Sequence, residues 1–157
     1  MLFGIVFGLA IVGFLLGRFV FVPMFGTMPD NMGWRAAEDR FKRCPQTTPV
    51  TNCVSSTDPT DTTTYIAPIP FSGSVEEAHT ELIRIINAMP RSEIITNDDT
   101  YIHAVFRSLA FNFPDDTEFY IDAENSMIQV RSASRLGMGD GGINRNRINS
   151  IKEQFQG

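Results

Sequence analysis

"TYIHAVFRSLAFNFPDDTEFYIDAENSMIQVRSAS", residues 100–134, decides the fold. Runs rich in β-branched and aromatic residues alternate there with turn-forming clusters, and with "EIIT" just before them they predict strands at Glu93–Thr96, Thr100–Ser108, Thr117–Asp122 and Met127–Ala133. "NDD" at 97–99 and "ENS" at 124–126 read as tight turns. Side chains alternate along a strand, so Ile102, Ala104, Phe106, Phe119, Ile121, Ile128 and Val130 share one apolar face. Tyr101, His103, Val105, Arg107, Glu118, Tyr120, Gln129, Arg131 and Arg135 fall on the other.

Helices flank these strands. Ser74 and Glu77 form a capping-box pattern, Val75, Ala78, Leu82, Ile85, Ile86 and Met89 recur at helical spacing, and Pro90 stops the run. A second helix is predicted over about Ile143 to Phe155. Strands grouped between two helices predict an α+β domain over residues 64–157, with a mainly antiparallel sheet of about four to five strands. "YIAPIPF", Tyr65 to Phe71, reads as an edge strand, where proline is tolerated. Residues 26–63, rich in Pro and Thr, read as an irregular linker of which part covers the domain.

The first 25 residues are of another kind. "MLFGIVFGLAIVGFLLGRFVFVPMF" contains one charge, Arg18, and its length predicts a transmembrane anchor through the bilayer. About 24 helical residues rise roughly 36 Å, against a hydrocarbon core of about 30 Å. Arg18 can reach a headgroup region, with Phe19, Phe21 and Phe25 at the same boundary. Gly4 and Gly8, and again Gly13 and Gly17, are spaced to admit a neighbouring helix, or reflect the frequency of glycine in membrane helices. No basic leader and no small-residue cleavage site mark this segment as a signal peptide.

The chain holds 13 Lys and Arg against 18 Asp and Glu, a net charge of −5. An acidic chain is a poor partner for nucleic acid. Cys44 and Cys53 are its two cysteines. They sit in a loop that a turn can close, and a disulfide there is worth about 3 kcal/mol in the chain-entropy model. Such a bond persists only in an oxidising compartment, so it points to an extracytoplasmic domain, periplasmic or lumenal. Arg35, Arg40, Lys42 and Arg43 after the anchor argue for the opposite side, and two buried reduced thiols are the alternative to the bond. A zinc site lacks ligands, and no cofactor or metal motif is present.

The polar sheet face admits two readings: His103, Arg107, Glu118 and Arg131 as a chemical surface, or a solvated face with cross-strand ion pairs. "RSASRLGMGDGGINRNR", 131–147, adds Arg135, Asp140, Asn144, Arg145 and Arg147. Arg145 and Arg147 open the last helix, at the positive end of its dipole, which calls for a nearby anion. Asp115 and Asp116 of "PDD" are the nearest candidates, and an external anion or lipid headgroup is the next. The expectation is an Arg/Asp clasp joining the last strand and helix to the mid-domain turn.

"CPQTTPVTNCVSS", "FPDDTEF" and "VRSASRLGMGDGGINRNRI" together resemble domain-of-unknown-function family 1499, over about residues 40–156. The matching positions include Cys53, Ser55, Ser56, Asp115, Asp116, Glu118, Arg131, Arg135, Asp140, Asn144 and Arg147. The resemblance implies bacterial, cyanobacterial or plastid relatives that often carry an N-terminal membrane or export segment, and it brings no settled activity. The functional expectation is a single-pass, non-enzymatic accessory or assembly subunit of a larger membrane complex, such as a photosynthetic or respiratory one, with other membrane subunits as partners. The alternative is a hydrolase or acid/base enzyme, with Ser55 or Ser56 as nucleophile, His103 as base and Asp115 or Asp116 as orienter. No GxSxG elbow supports it.

Overall fold

A computed structural model describes residues 2–22, 26–45, 51–137 and 139–157. Its centre is a six-stranded antiparallel sheet. The strands are β1 (Cys53–Ser55), β2 (Ile69–Pro70), β3 (Ser92–Asn97), β4 (Tyr101–Arg107), β5 (Pro114–Asp122) and β6 (Met127–Ser134). They run in the order β1-β6-β5-β4-β3, with β2 also pairing β6. The sheet therefore begins as a meander β3-β4-β5-β6, and two short segments from earlier in the chain then dock on the free edge of β6.

Two helices cover one face: α2 (Val75–Ala88) and α3 (Ile143–Gln156). The capping box at Ser74 and Glu77 forms in both directions, which fixes where α2 starts. Ala78, Leu82, Ile85 and Ile86 of α2, with Ile148 and Ile151 of α3, pack on Ile102, Phe119, Ile121, Ile128 and Val130. This is the apolar face the strand alternation predicts, and it is the core of the domain.

Three boundaries differ from the sequence reading. β1 lies within the segment read as linker, because three residues carry too little pattern to announce a strand. β5 begins at Pro114 and not Thr117, so "PDD" is strand and not turn. Proline is tolerated at a first strand position, and the two following carboxylates are taken up by arginines on either side of the sheet. The edge strand expected over Tyr65 to Phe71 is reduced to Ile69–Pro70, with Tyr65 forming a separate bridge to Ser55.

The N-terminal segment differs too. An α-helix, α1 (Leu2–Leu16), is followed by a π-helical turn, Gly17–Phe21. No helix among the described residues is long and apolar enough to cross a membrane, so the expected transmembrane helix through residue 25 is not what the structure presents. Phe25 lies outside the described residues. Gly8 and Gly13 have open space beside them, whereas Gly17 faces the Phe111 ring, 3.6 Å from where its Cβ would stand. Gly4 also falls in α1, but its surroundings are outside the described residues.

The centre of the second sheet face is not solvated. Glu118 is 0% exposed, and His103, Asp116 and Arg131 are buried as well. Residues 26–44 lie across them as a strap. Trp34 stacks on Tyr120 with ring centroids 4.1 Å apart and meets Phe41 edge-on at 5.0 Å. Phe41 is fully buried. A Cys44–Cys53 disulfide, Cα–Cα 5.6 Å, fastens the end of the strap to β1.

Candidate functional site

The register places His103 opposite Glu118, and Glu118 opposite Arg131, so three adjacent strands present a row of polar side chains beneath the strap. His103 Nε2 and Asp116 Oδ1 are 2.8 Å apart, on the diagonal between β4 and β5. Arg135, just past β6, donates to both oxygens of that carboxylate, from Nε at 2.8 Å and Nη2 at 2.7 Å. Its Nη1 donates to the Gly26 carbonyl of the strap at 3.0 Å. This is a bidentate Arg–carboxylate fork, the strongest geometry for such a pair. Burial pushes the Asp116 carboxyl up, but the hydrogen bonds from His103 and Arg135 and the Arg135 charge outweigh it and hold the group below its ordinary value.

A second unit lies beside it. Arg131 Nη1 donates to Glu118 Oε2 at 3.0 Å, and Arg131 Nε donates to the Lys42 carbonyl of the strap at 2.9 Å. Tyr101 Oη (2.9 Å) and the Gly33 amide (2.7 Å) both donate to Glu118 Oε1. Burial first, and the Glu118 charge second, push the Tyr101 hydroxyl well above its ordinary value, so it stays a donor. Three backbone groups of the strap thus enter the network, at Gly26, Gly33 and Lys42.

Asp115 is next to Asp116 in sequence and serves the opposite face. Strand alternation turns it toward α3, where Arg147 Nη2 reaches it at 2.5 Å. Arg147 also donates to Ser132 Oγ at 3.0 Å, and its guanidinium lies over the Phe106 ring at 4.7 Å. Asn144 bonds Ser132, Ser134, Asp140 and the Asn52 carbonyl. Asp140 accepts from the Gly142 and Asn144 amides, both at 2.9 Å, so it neutralises the start of α3 and pairs with no arginine among the described residues. Gly142, at φ +83°, makes the left-handed entry that puts those amides on one carboxylate.

The expected site residues therefore separate into two groups, one on each face. His103, Asp116, Glu118, Arg131 and Arg135 meet under the strap; Asp115, Asp140, Asn144 and Arg147 meet between sheet and α3. Arg107 belongs to neither, and lies 3.7 Å from Glu93 at the end of β4. Ser55 and Ser56 do not join His103. Ser55 bonds Thr57, Ser56 bonds Gln129, and β1 stands three strand spacings from β4, roughly 14 Å. The triad of the alternative reading is not assembled. Among the described residues no group of three His, Cys, Asp or Glu is placed to hold a metal ion.

Sequence reasoning placed Tyr101 on the polar face without singling it out, and missed Trp34, Phe41 and the backbone groups of the strap. Tyr101 was legible from alternation alone, and the lone Trp in an otherwise polar stretch was the signal for the strap.

The family model described as "Protein of unknown function (DUF1499)" matches residues 40–155. The chain belongs to this family. Comparison with curated proteins gives no match. The DUF1499 region contains both polar clusters and both cysteines, whereas the first half of the strap, with Gly26, Gly33 and Trp34, precedes it.

Proposed function

We propose that this DUF1499 chain is a non-enzymatic accessory or assembly subunit, held at a membrane by its N-terminal apolar segment and working in a larger membrane protein complex. One observation carries the reading. The groups that could perform acid/base chemistry are neutralised by each other beneath a fastened strap, while the N-terminal segment leaves large apolar side chains uncovered. Phe7 and Leu9 of α1 are 69% and 68% exposed, and Phe19 of the π-helical turn is 65% exposed. Exposed apolar area of that extent favours an apolar surrounding, lipid or protein. α1 runs directly into the π-helical turn, and this combined stretch is what we assign to the bilayer, with partner subunits taking part of its surface. The disulfide supports an extracytoplasmic domain, since the bond persists where thiols are not kept reduced.

Native membranes solubilised in mild detergent test this. The full chain is expected to resist carbonate extraction and to migrate with membrane subunits at fixed stoichiometry, and loss of the chain is expected to reduce that complex. A chain that is carbonate-extractable and monomeric in every detergent overturns the reading.

A further inference from the structure

The end of the domain beside α1 carries features that the subunit reading does not use. The β4–β5 turn, residues 108–113, leaves Leu109 75% and Phe111 39% exposed, and Ile143 at the start of α3 is 52% exposed. This turn is fixed to the end of the apolar helix. Arg18 Nη1 donates to the Ala110 carbonyl at 3.0 Å, and the Phe14 and Phe111 rings lie 5.4 Å apart.

Next to the turn is a cavity of about 360 Å³, walled on its apolar side by Met89, Pro90 and Ile143 and on its polar side by Arg91 and Arg147. The carboxylate lining it, Asp115, is taken by Arg147. Arg91 directs its Nε to the Arg107 backbone carbonyl at 3.0 Å, which holds its guanidinium at the end of β4. The Arg107 side chain belongs to the opposite sheet face, where it lies 3.7 Å from Glu93. Arg91 forms no ion pair among the described residues, in a chain whose net charge is −5. An apolar tip with Arg18 and Arg91 beside it, at the exit of an apolar helix, is complementary to an anionic bilayer surface.

We propose that this end is a second membrane contact, in which Leu109, Phe111 and Ile143 enter the headgroup boundary and Arg91 contacts the phosphate of an anionic phospholipid seated in the cavity. Guanidinium groups recognise phosphate oxygens bidentately, and the apolar wall accommodates the start of the acyl chains. The contact sets the domain's height and orientation on the membrane. The inference rests on the anchor reading given above.

Full chain reconstituted in nanodiscs tests it, with phosphatidylcholine alone or with phosphatidylglycerol added, reading amide hydrogen exchange over residues 108–113. Exchange is expected to slow about tenfold when the anionic lipid is present. Arg91→Gln is expected to abolish that difference, and Leu109→Ser, at an exposed site that leaves folding intact, to reduce it. Equal exchange in the two lipids overturns the proposal and leaves the anchor reading standing. Inorganic phosphate giving the same protection in detergent assigns the cavity to a soluble anion and overturns it as well. A chain that does not enter the nanodiscs overturns both readings.

Discussion

The centres of both faces of the sheet are closed to water, and they are closed by different physics. On the helix side, Ile102, Phe119, Ile121, Ile128 and Val130 meet α2 and α3. Any apolar neighbour of suitable shape would serve there, because the driving force is non-directional. On the strap side, His103, Asp116, Glu118 and Arg131 are buried just as deeply. Each of those groups needs its own partner at hydrogen-bond distance, since an unpaired buried charge is costly. A charged sheet face is therefore not by itself a solvent face. Here an aromatic pair, Trp34 and Phe41, supplies the cover, and backbone groups of the strap complete the polar contacts.

That contrast can be broken from either side. The largest effect is expected from Phe119→Ala in the apolar core, about 4 to 5 kcal/mol of stability in urea unfolding. Next is Arg131→Met, about 3 to 4 kcal/mol, because it leaves the Glu118 carboxylate buried without its cation. Adding Glu118→Gln to that variant keeps an acceptor for Tyr101 and Gly33 and is expected to restore a large part of the loss. If the double variant instead costs the sum of the singles, the pair is not coupled and the directional account of this face is wrong.

The strap is the smaller lever. Replacing Cys44 and Cys53 by Ser is expected to cost about 2 to 3 kcal/mol, with faster proteolysis within residues 26–44 and an unchanged helix content by circular dichroism. The acid limb is smaller still. Asp116 has its carboxyl held low in the folded state, so its contribution is fully present above the unfolded value, about 3.9, and is lost as the pH falls through the lower folded value. Wild type is expected to lose stability on acidification through this range, and Asp116→Asn to show a shallower decline. Parallel pH curves for the two proteins would show that the carboxylate contributes nothing through ionisation.

The meander was legible because its strands alternate over six or more residues and are separated by turn clusters. The same alternation assigns His103, Glu118 and Arg131 to one face from the sequence alone. It could not say what covers that face, since residues 26–44 have no period, and their role depends on where Trp34 lands. Nor could it divide Asp115 from Asp116, because that needs β5 to start at Pro114. Once it does, neighbouring carboxylates must point to opposite faces. The three-residue β1 and the end of α1 at Leu16 were beyond the pattern for the same reason: local sequence is too short or too uniformly apolar to mark them.

Native-state hydrogen exchange at the Gly33 amide bears most directly on the claim that the strap is an integral layer of the fold. That amide donates to the buried Glu118 carboxylate at 2.7 Å. Its opening free energy is predicted to match that of the core β5 and β6 amides and to fall when Cys44 and Cys53 are replaced. Exchange orders of magnitude faster than the core in the intact protein would mean that the strap lifts freely and that the polar face beneath it is an accessible site.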